Sequence, residues 1–112
     1  MKESSIFLTE YTKIITASDI VDQDLGVQIA FPRFQEDLVL KLLDETLSIL
    51  KNLSLIYFLE TNLYIVGDLH GNIRDLIRIL RQVNFFSSEA RILFLGDYVD
   101  RGDFSLEVVT LL

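Results

Sequence analysis

Apolar residues in the first half of the chain recur every three or four positions, which is the period of an amphipathic helix. Residues 4–17 predict one such helix, and residues 36–51 predict a second, whose opposite side carries charges. Residues 19–26 lie between them and break the period, so they predict a linker. The apolar positions are Phe7, Tyr11, Ile14 and Ile15 in the first helix, and Leu38, Val39, Leu42, Leu43, Leu47 and Leu50 in the second.

Beyond residue 54, apolar residues occur in short continuous runs, which are typical of β-strands. Residues 55–59 and 63–66 flank the turn residues 60–62 and predict a hairpin. Residues 92–95 predict a further strand. Because the runs 63–66 and 92–95 are apolar at every position, we expect both strands to be buried on both faces of a sheet.

One helix is predicted after each of these last two strands. Asn72 is a typical residue for the start of the first helix, and Asp75 in its first turn favours a helix amino terminus. Its apolar stripe comprises Ile73, Leu76, Ile77, Leu80 and Val83, while Arg74, Arg78 and Arg81 are expected on a solvated face. Asp103 is the expected cap of the last helix, which carries Val108, Val109, Leu111 and Leu112.

The order strand, helix, strand, helix from residue 63 onward predicts a βαβ unit followed by one more helix, and hence an α/β fold. A right-handed crossover makes the two strands parallel, so that their carboxyl ends lie at one edge of the sheet. Half of the residues are hydrophobic, and the last predicted helix runs to residue 112. Since a small domain has proportionally more surface to cover with polar groups, we expect the chain to be a truncated part of a larger domain.

The composition excludes several classes of function. With 10 Lys and Arg against 17 Asp and Glu, the net charge is −7, which disfavours nucleic acid as a general partner. The chain has no Cys, so disulfides and thiolate metal sites are excluded. No apolar run approaches the roughly 20 residues that span a bilayer, so no membrane partner is expected. The resulting expectation is a cytoplasmic or nuclear protein.

Chemically distinctive residues follow both predicted parallel strands. Asp68 and His70 follow the first strand, and Asp97, Asp100 and Arg101 follow the second. Because both loops leave the carboxyl edge of a parallel sheet, we expect these side chains to lie close together. Asp68 and His70 are two positions apart, so they point the same way in an extended segment. Either loop alone can be an ordinary turn, but a turn requires neither the His nor the repeated acids.

This set of side chains suits a metal-dependent reaction at phosphorus. Carboxylate oxygens and an imidazole nitrogen, without sulfur, suit Mn, Fe or Zn. Asp97 can bridge to a second ion through its other oxygen, and two ions about 3.5–4 Å apart form a clamp for displacement at phosphorus. Arg101 offers the planar guanidinium that pairs with phosphate oxygens. The loops therefore predict hydrolysis of a phosphate ester.

The two loops read Gly67-Asp68-Leu69-His70-Gly71 and Gly96-Asp97-Tyr98-Val99-Asp100-Arg101-Gly102, with Ser105 and Glu107 following. These sequences resemble the first two signature blocks of the metal-dependent serine/threonine protein phosphatases, the PPP family of calcineurin-like metallophosphoesterases. The resemblance implies a partial calcineurin-like metallophosphoesterase fold with amino-terminal helices, a hairpin and the βαβ unit with its last helix. Residues 1–33 would be a helical extension and linker, and residues 34–112 the amino-terminal part of the catalytic domain.

The resemblance also implies an activity, namely hydrolysis of phosphoserine and phosphothreonine by a water that two metal ions (Mn, Fe or Zn) activate. Asp68 and His70 would hold the first metal, Asp97 would bridge both, Arg101 would bind the substrate phosphate, and Asp100 would orient a proton-donating His. Phosphoprotein substrates and regulatory subunits are the implied partners.

The chain departs from the family in lacking its later blocks. The Gly-Asn-His-Glu block, with an Asn ligand and the proton-donating His, and two further His ligands are absent, since His70 is the only His. We therefore expect the chain to hold at most one metal well and to be inactive by itself. Two alternatives remain open: a non-catalytic module of phosphatase fold that binds a phosphoprotein or partner subunit, and a hydrolase of dinucleoside polyphosphates.

Overall fold

The computed structural model of the protein describes residues 3–54 and 63–112. Its elements are α1 (Glu3–Ile15), a short 3₁₀ turn (Asp22–Asp24), α2 (Glu36–Leu50), β1 (Leu63–Val66), α3 (Ile73–Gln82), β2 (Arg91–Phe94) and α4 (Ser105–Leu111). Every predicted helix is present, as are the two strands that flank α3, so the predicted α/β class is confirmed. The predicted hairpin strand 55–59 and turn 60–62 lie outside the described residues.

β1 and β2 form a parallel pair, as predicted. Their register pairs Leu63–Val66 with residues 91–94 in order. One further hydrogen bond, from the amide of Leu95 to the carbonyl of Val66 at 3.0 Å, continues the pairing past the end of β2. Both strands therefore end at the same edge of the sheet, and the two loops leave it side by side.

α3 lies at the centre of the hydrophobic core. Its stripe residues Ile73, Leu76 and Ile77 are completely buried, and they pack between α1 and α4. The whole buried cluster comprises Tyr11, Ile14, Ile15, Leu25, Phe31, Leu69, Ile73, Leu76, Ile77, Leu80 and Val108. One core thus contains side chains from residues 1–33 and from residues 34–112, and the division between these two ranges stays a prediction from sequence.

One residue of the segment predicted as a linker belongs to this core, while about half of the segment is exposed. Leu25 is completely buried, and the amide of Gly26 donates a hydrogen bond to the carbonyl of Ile29 at 2.7 Å. Gly26 has a φ of 81°, which glycine adopts without steric cost, and this allows the tight turn. Helical periodicity detects helices only, and it does not reveal a loop that packs against one.

The prediction that both strands are buried on two faces is wrong. Val66, Ile92 and Phe94 pack against the core, whereas Ile65 and Leu95 are 63% and 65% exposed. The described helices thus cover one face of the two-stranded sheet, and the described residues leave the other face open. An apolar pattern indicates that a face of a sheet can be buried. Whether another element packs on that face depends on the tertiary structure.

α2 also exposes more apolar surface than its pattern predicts. Leu42 is buried, but Leu43, Leu47 and Leu50 on the same stripe are each about half exposed. With 15 residues, α2 is the longest helix in the described part of the chain. None of the described helices combines the length and the apolar character that crossing a membrane requires.

Two of the three arginines on α3 bind backbone carbonyls instead of facing solvent. Nε of Arg74 donates to the carbonyl of Leu25 at 2.8 Å. The guanidinium of Arg81 donates, at 2.8–3.3 Å, to the carbonyls of Ile14, Ile15, Ala17 and Ile20. A helix end leaves carbonyls without intrahelical partners, and the five donors of one Arg satisfy several of them. The predicted solvated face is therefore correct for Arg78, which is 57% exposed, and wrong for the other two.

The start of α3 is as predicted, and the start of α4 is not. Oδ1 of Asn72 accepts the amide of Asp75 at 3.1 Å, and Nδ2 of Asn72 donates to the Asp75 carboxylate at 2.7 Å. α4 instead follows Phe104, and no side chain of the described residues caps it. Asp103 lies one residue too early to cap this helix, so its predicted role is wrong.

Candidate metal centre

The two loops that follow β1 and β2 are joined by backbone hydrogen bonds. The amides of Leu69 and His70 both donate to the carbonyl of Asp97, at 3.0 and 2.9 Å. The amide of Gly71 donates to the carbonyl of Tyr98 at 2.8 Å. These bonds fix the loops relative to each other, so that side chains from both form one site.

Four of the five predicted site residues have left-handed backbone conformations. The angle φ is 45° at His70, 52° at Asp97, and 69° at both Asp100 and Arg101. Such values are uncommon outside glycine and typically cost about 1–3 kcal/mol each. They persist where the surroundings hold the backbone, and they concentrate at functional sites. The strain is therefore support for a site here that is independent of the sequence motifs.

Asp68, His70 and Asp97 come together at this edge of the sheet. One possible ligand atom from each residue lies within 4.8 Å of the other two. Nε2 of His70 and Oδ2 of Asp68 are 3.4 Å apart. Two ligands held about 2.1 Å from one ion at tetrahedral angles are roughly 3.4 Å apart, so this pair can bind a single metal. The structure thus brings together the three residues that were predicted as metal ligands.

The hydrogen bond of Nδ1 determines which ring nitrogen of neutral His70 carries the proton. Nδ1 is 2.9 Å from the carbonyl oxygen of Val99, which can only accept, so Nδ1 carries the proton and donates it. In the neutral imidazole the lone pair is then on Nε2, the nitrogen beside Asp68. Metal-binding histidines have this arrangement, with the other nitrogen donating to a carbonyl or carboxylate. Two carboxylates with one imidazole fit Mn, Fe or Zn.

Asp100 and Arg101 lie outside this cluster. Both are exposed, and within residues 3–54 and 63–112 neither side chain forms a hydrogen bond or ion pair with the three clustered residues. The amide of Asp100 donates to Oγ of Ser105 at 3.1 Å, which supports the strained turn. The guanidinium of Arg101 is accessible to an anion from solvent. The roles that were assigned to both residues stay predictions.

Sequence reasoning assigned no structural role to three residues that support the site. The carbonyl of Val99 orients His70, the hydroxyl of Ser105 holds the turn, and Gly102 allows the two loops to approach closely. A role played by a backbone carbonyl leaves no signal in the sequence. For Gly102 and Ser105, the one available signal was their place in or beside the second block.

The cluster is open to solvent. A cleft of about 660 Å³ lies between β1 and α3, and Asp68 is at its border together with Asp75 and Arg78. The side chain of Asp68 is 60% exposed and that of His70 is 27% exposed. A metal ion and a phosphate ester can therefore reach these side chains without opening the fold.

Comparison with known proteins identifies the segment that carries both loops. Residues 61–112 match the family of calcineurin-like phosphoesterases. Serine/threonine-protein phosphatase PP1-1 of Saccharomyces cerevisiae is 45% identical over 53 residues, which are 47% of this chain and 17% of the yeast protein. The aligned stretch is thus about a sixth of the length of this relative. The family match thus covers both loops, which confirms their resemblance to the calcineurin-like phosphoesterases.

Proposed function

We propose that the chain is part of a metal-dependent phosphatase that hydrolyses phosphate esters of protein serine and threonine side chains. The observation that carries this proposal is the cluster of Asp68, His70 and Asp97, whose ligand atoms lie within 4.8 Å. The cluster belongs to the segment that matches the calcineurin-like phosphoesterases. The substrate class is supported by the name of the yeast relative, a serine/threonine-protein phosphatase.

In this proposal, Asp68 and His70 would hold the first of two metal ions, and Asp97 would be a ligand shared with the second. When bound, such ions polarise the phosphoryl oxygens and generate a nucleophile from water at neutral pH. The residues of this chain position the ligand atoms. The hydrogen bond from His70 to the Val99 carbonyl directs Nε2 toward the carboxylates. Mn, Fe and Zn all suit this set of ligands.

In the same proposal, Arg101 binds the substrate phosphate, and Asp100 supports proton transfer to the leaving group. The guanidinium of Arg101 pairs with two oxygens of the substrate phosphate. Asp100 orients a His that protonates the leaving serine or threonine oxygen. His70 is the only His of this chain and serves as a ligand, so the 112 residues alone should not turn over a phosphoserine peptide. Phosphoproteins and regulatory subunits are the proposed partners, in the cytoplasm or the nucleus.

A chimera of this chain with the yeast relative tests the proposed function. Residues 61–112, which match the family, replace the corresponding stretch of the yeast phosphatase, and the yeast protein supplies the rest of the enzyme. We expect the chimera to release phosphate from a phosphoserine peptide in the presence of Mn²⁺. Asp97→Asn or Arg101→Ala should then lower kcat/KM by at least about 100-fold, the usual cost of removing a group that stabilises the transition state.

Glu89→Gln is the matched control, since this exposed carboxylate lies in the loop before β2 and away from the site. It should leave kcat/KM unchanged. A folded chimera that binds Mn²⁺ and releases no phosphate from the peptide would contradict the proposal. Cleavage of a dinucleoside polyphosphate in place of the peptide would favour the alternative hydrolase.

A further inference from the structure

We infer that residues 25–31 position the candidate metal site by holding Phe104 in place. The inference rests on the proposed function, because it concerns the same two loops. It gives a role to a segment that lies outside the family match, which begins at residue 61. Phe104 stands between the loop that carries Asp97 and the first residue of α4.

The ring of Phe104 is enclosed by parts of the chain that are distant in sequence. It packs edge-to-face with Phe31, with ring centroids 4.8 Å apart and an interplanar angle of 67°. The guanidinium of Arg74 lies over the ring, 5.8 Å from its centroid. A Cβ added at Gly26 would lie 2.7 Å from Cζ of Phe104, so glycine at this position leaves the space that the ring occupies.

Arg74 connects these parts to one another. Its Nε donates to the carbonyl of Leu25 at 2.8 Å, while its guanidinium covers the Phe104 ring. Leu25 is itself completely buried in the core. The ring is thereby fixed from α3 and from residues 25–31, both of which lie outside the two loops.

The backbone of Phe104 passes this constraint to His70. The amide of Phe104 donates to the carbonyl of Gly71 at 3.2 Å, and the amide of Gly102 donates to the carbonyl of His70 at 2.7 Å. The imidazole of His70 donates to Val99, in the same loop as Gly102. A displacement of Phe104 therefore moves Gly102 and Val99 relative to His70, and it weakens the bond that selects the imidazole tautomer.

The two loops need such a support because their backbones are strained. His70 and Asp97 have φ values of 45° and 52°, which persist only where the surrounding structure holds them. The hydrogen bonds between the loops hold them to each other, and the packing of Phe104 attaches both to the core. Loss of that packing should let the backbone relax and the imidazole rotate.

His70 is the only histidine, so its ring nitrogens give unique signals in ¹⁵N-edited NMR spectra. Spectra of the metal-free chain at about pH 8.5, where imidazoles are ordinarily neutral, report the tautomer. We expect the Nδ1–H tautomer in the wild type, and a mixture of both tautomers in Phe31→Ala and Phe104→Ala. The Mn²⁺ affinity of these variants should fall roughly 10- to 100-fold, as for other residues that orient metal ligands.

Phe7→Ala is the matched control. Phe7 is 2% exposed and Phe31 is 7% exposed, so both substitutions remove a buried ring. Phe7 packs on Phe34, with ring centroids 4.0 Å apart, and not on Phe104. Phe7→Ala should therefore keep the Nδ1–H tautomer and the wild-type Mn²⁺ affinity. Where Phe31→Ala does not fold, Phe31→Leu retains most of the apolar volume, loses the ring edge, and should change the tautomer in the same direction.

An unchanged tautomer in the folded Phe31 and Phe104 variants would overturn the inference. So would an equal change in Phe7→Ala, because it would indicate a general loosening of the core. Failure of the proposed function gives a different result: the wild type would bind no Mn²⁺, while the tautomer would still change in the Phe31 and Phe104 variants alone.

Discussion

The backbone amide of Gly102 donates a hydrogen bond of 2.7 Å to the carbonyl of His70, and this contact joins the two loops at the candidate metal centre. The approach leaves no room for a side chain. A Cβ added to Gly102 would lie 2.7 Å from the carbonyl carbon of Gly71 and would collide with the carbonyl oxygen of His70. Glycine is therefore required at this position, because no side chain fits between the loops.

Gly102→Ala should separate the loops. We expect the free energy of unfolding to fall by about 1–3 kcal/mol, the usual cost of overpacking, and the Mn²⁺ affinity to fall roughly 10- to 100-fold. Urea denaturation and a Mn²⁺ titration measure the two effects. Gly67→Ala is the control, since a Cβ there meets no atom within 4 Å. Equal losses in both variants would contradict the explanation by close approach.

Asp97→Asn should weaken metal binding and leave the fold intact. Its carbonyl, and not its exposed carboxylate, accepts the hydrogen bonds from Leu69 and His70. The substitution thus deletes one charge and replaces an anionic ligand oxygen by a neutral amide oxygen, which binds a metal more weakly, while it keeps the backbone contacts. We expect the affinity for Mn²⁺ or Zn²⁺, measured by calorimetry, to fall at least about tenfold with an unchanged Tm.

Asp103→Asn is the matched control for that experiment. It removes the same charge from the same loop, but Asp103 is exposed and lies outside the cluster. If general attraction to an acidic loop explained metal uptake, the two variants would lose equal affinity. Metal uptake by Asp97→Asn that equals that of the wild type would remove Asp97 from the site.

Interactions between neighbours in sequence, and those set by chain topology, are predictable from this sequence. The capping of α3 by Asn72 and Asp75 follows from residues three positions apart. The meeting of Asp68 and Asp97 follows from the handedness of a βαβ unit, which places both loops at one edge. Neither prediction requires knowledge of what packs against the elements.

Contacts between distant segments are not predictable in the same way. Arg81 binds carbonyls that are between 61 and 67 residues away, and nothing in its local sequence distinguishes it from the exposed Arg78. The burial of the strands fails for a related reason. Ile65 is apolar, but the described residues do not cover its face of the sheet. Sequence pattern gives the chemistry of a face, and tertiary packing decides what lies on it.

Arg81→Met should detach the carboxyl end of α1 from α3. The substitution keeps an apolar stem and removes the donors to four backbone carbonyls. Because a buried polar group without a partner costs about 1–3 kcal/mol, we expect the free energy of unfolding in urea to fall by about that amount. Arg78→Met is the control, since this guanidinium is 57% exposed and pairs with Asp75 at the surface. Equal losses would indicate that the contacts of Arg81 add nothing to stability.

Burial of Tyr11 makes the free energy of unfolding fall as the pH rises through the alkaline range. Its burial raises the pKa of the hydroxyl above the usual 10.0; the charge of Glu107 adds to this effect, and the hydrogen bond with Thr110 opposes it. In the unfolded chain the hydroxyl ionises near pH 10, whereas in the folded chain it stays protonated to higher pH. The unfolded state therefore binds fewer protons in this window. The contribution to stability is fully present below about pH 10 and falls as the pH rises toward the folded-state pKa.

Tyr11→Phe should abolish this component of the alkaline loss, because the variant has no hydroxyl to ionise. We expect its free energy of unfolding to rise relative to the wild type between about pH 8 and about pH 11, by up to about 1.4 kcal/mol per pH unit above pH 10. Urea denaturation at both pH values measures this difference. Tyr64→Phe, at a half-exposed position on β1, should lose as much stability as the wild type. If Tyr11→Phe loses that much as well, groups other than Tyr11 cause the alkaline loss.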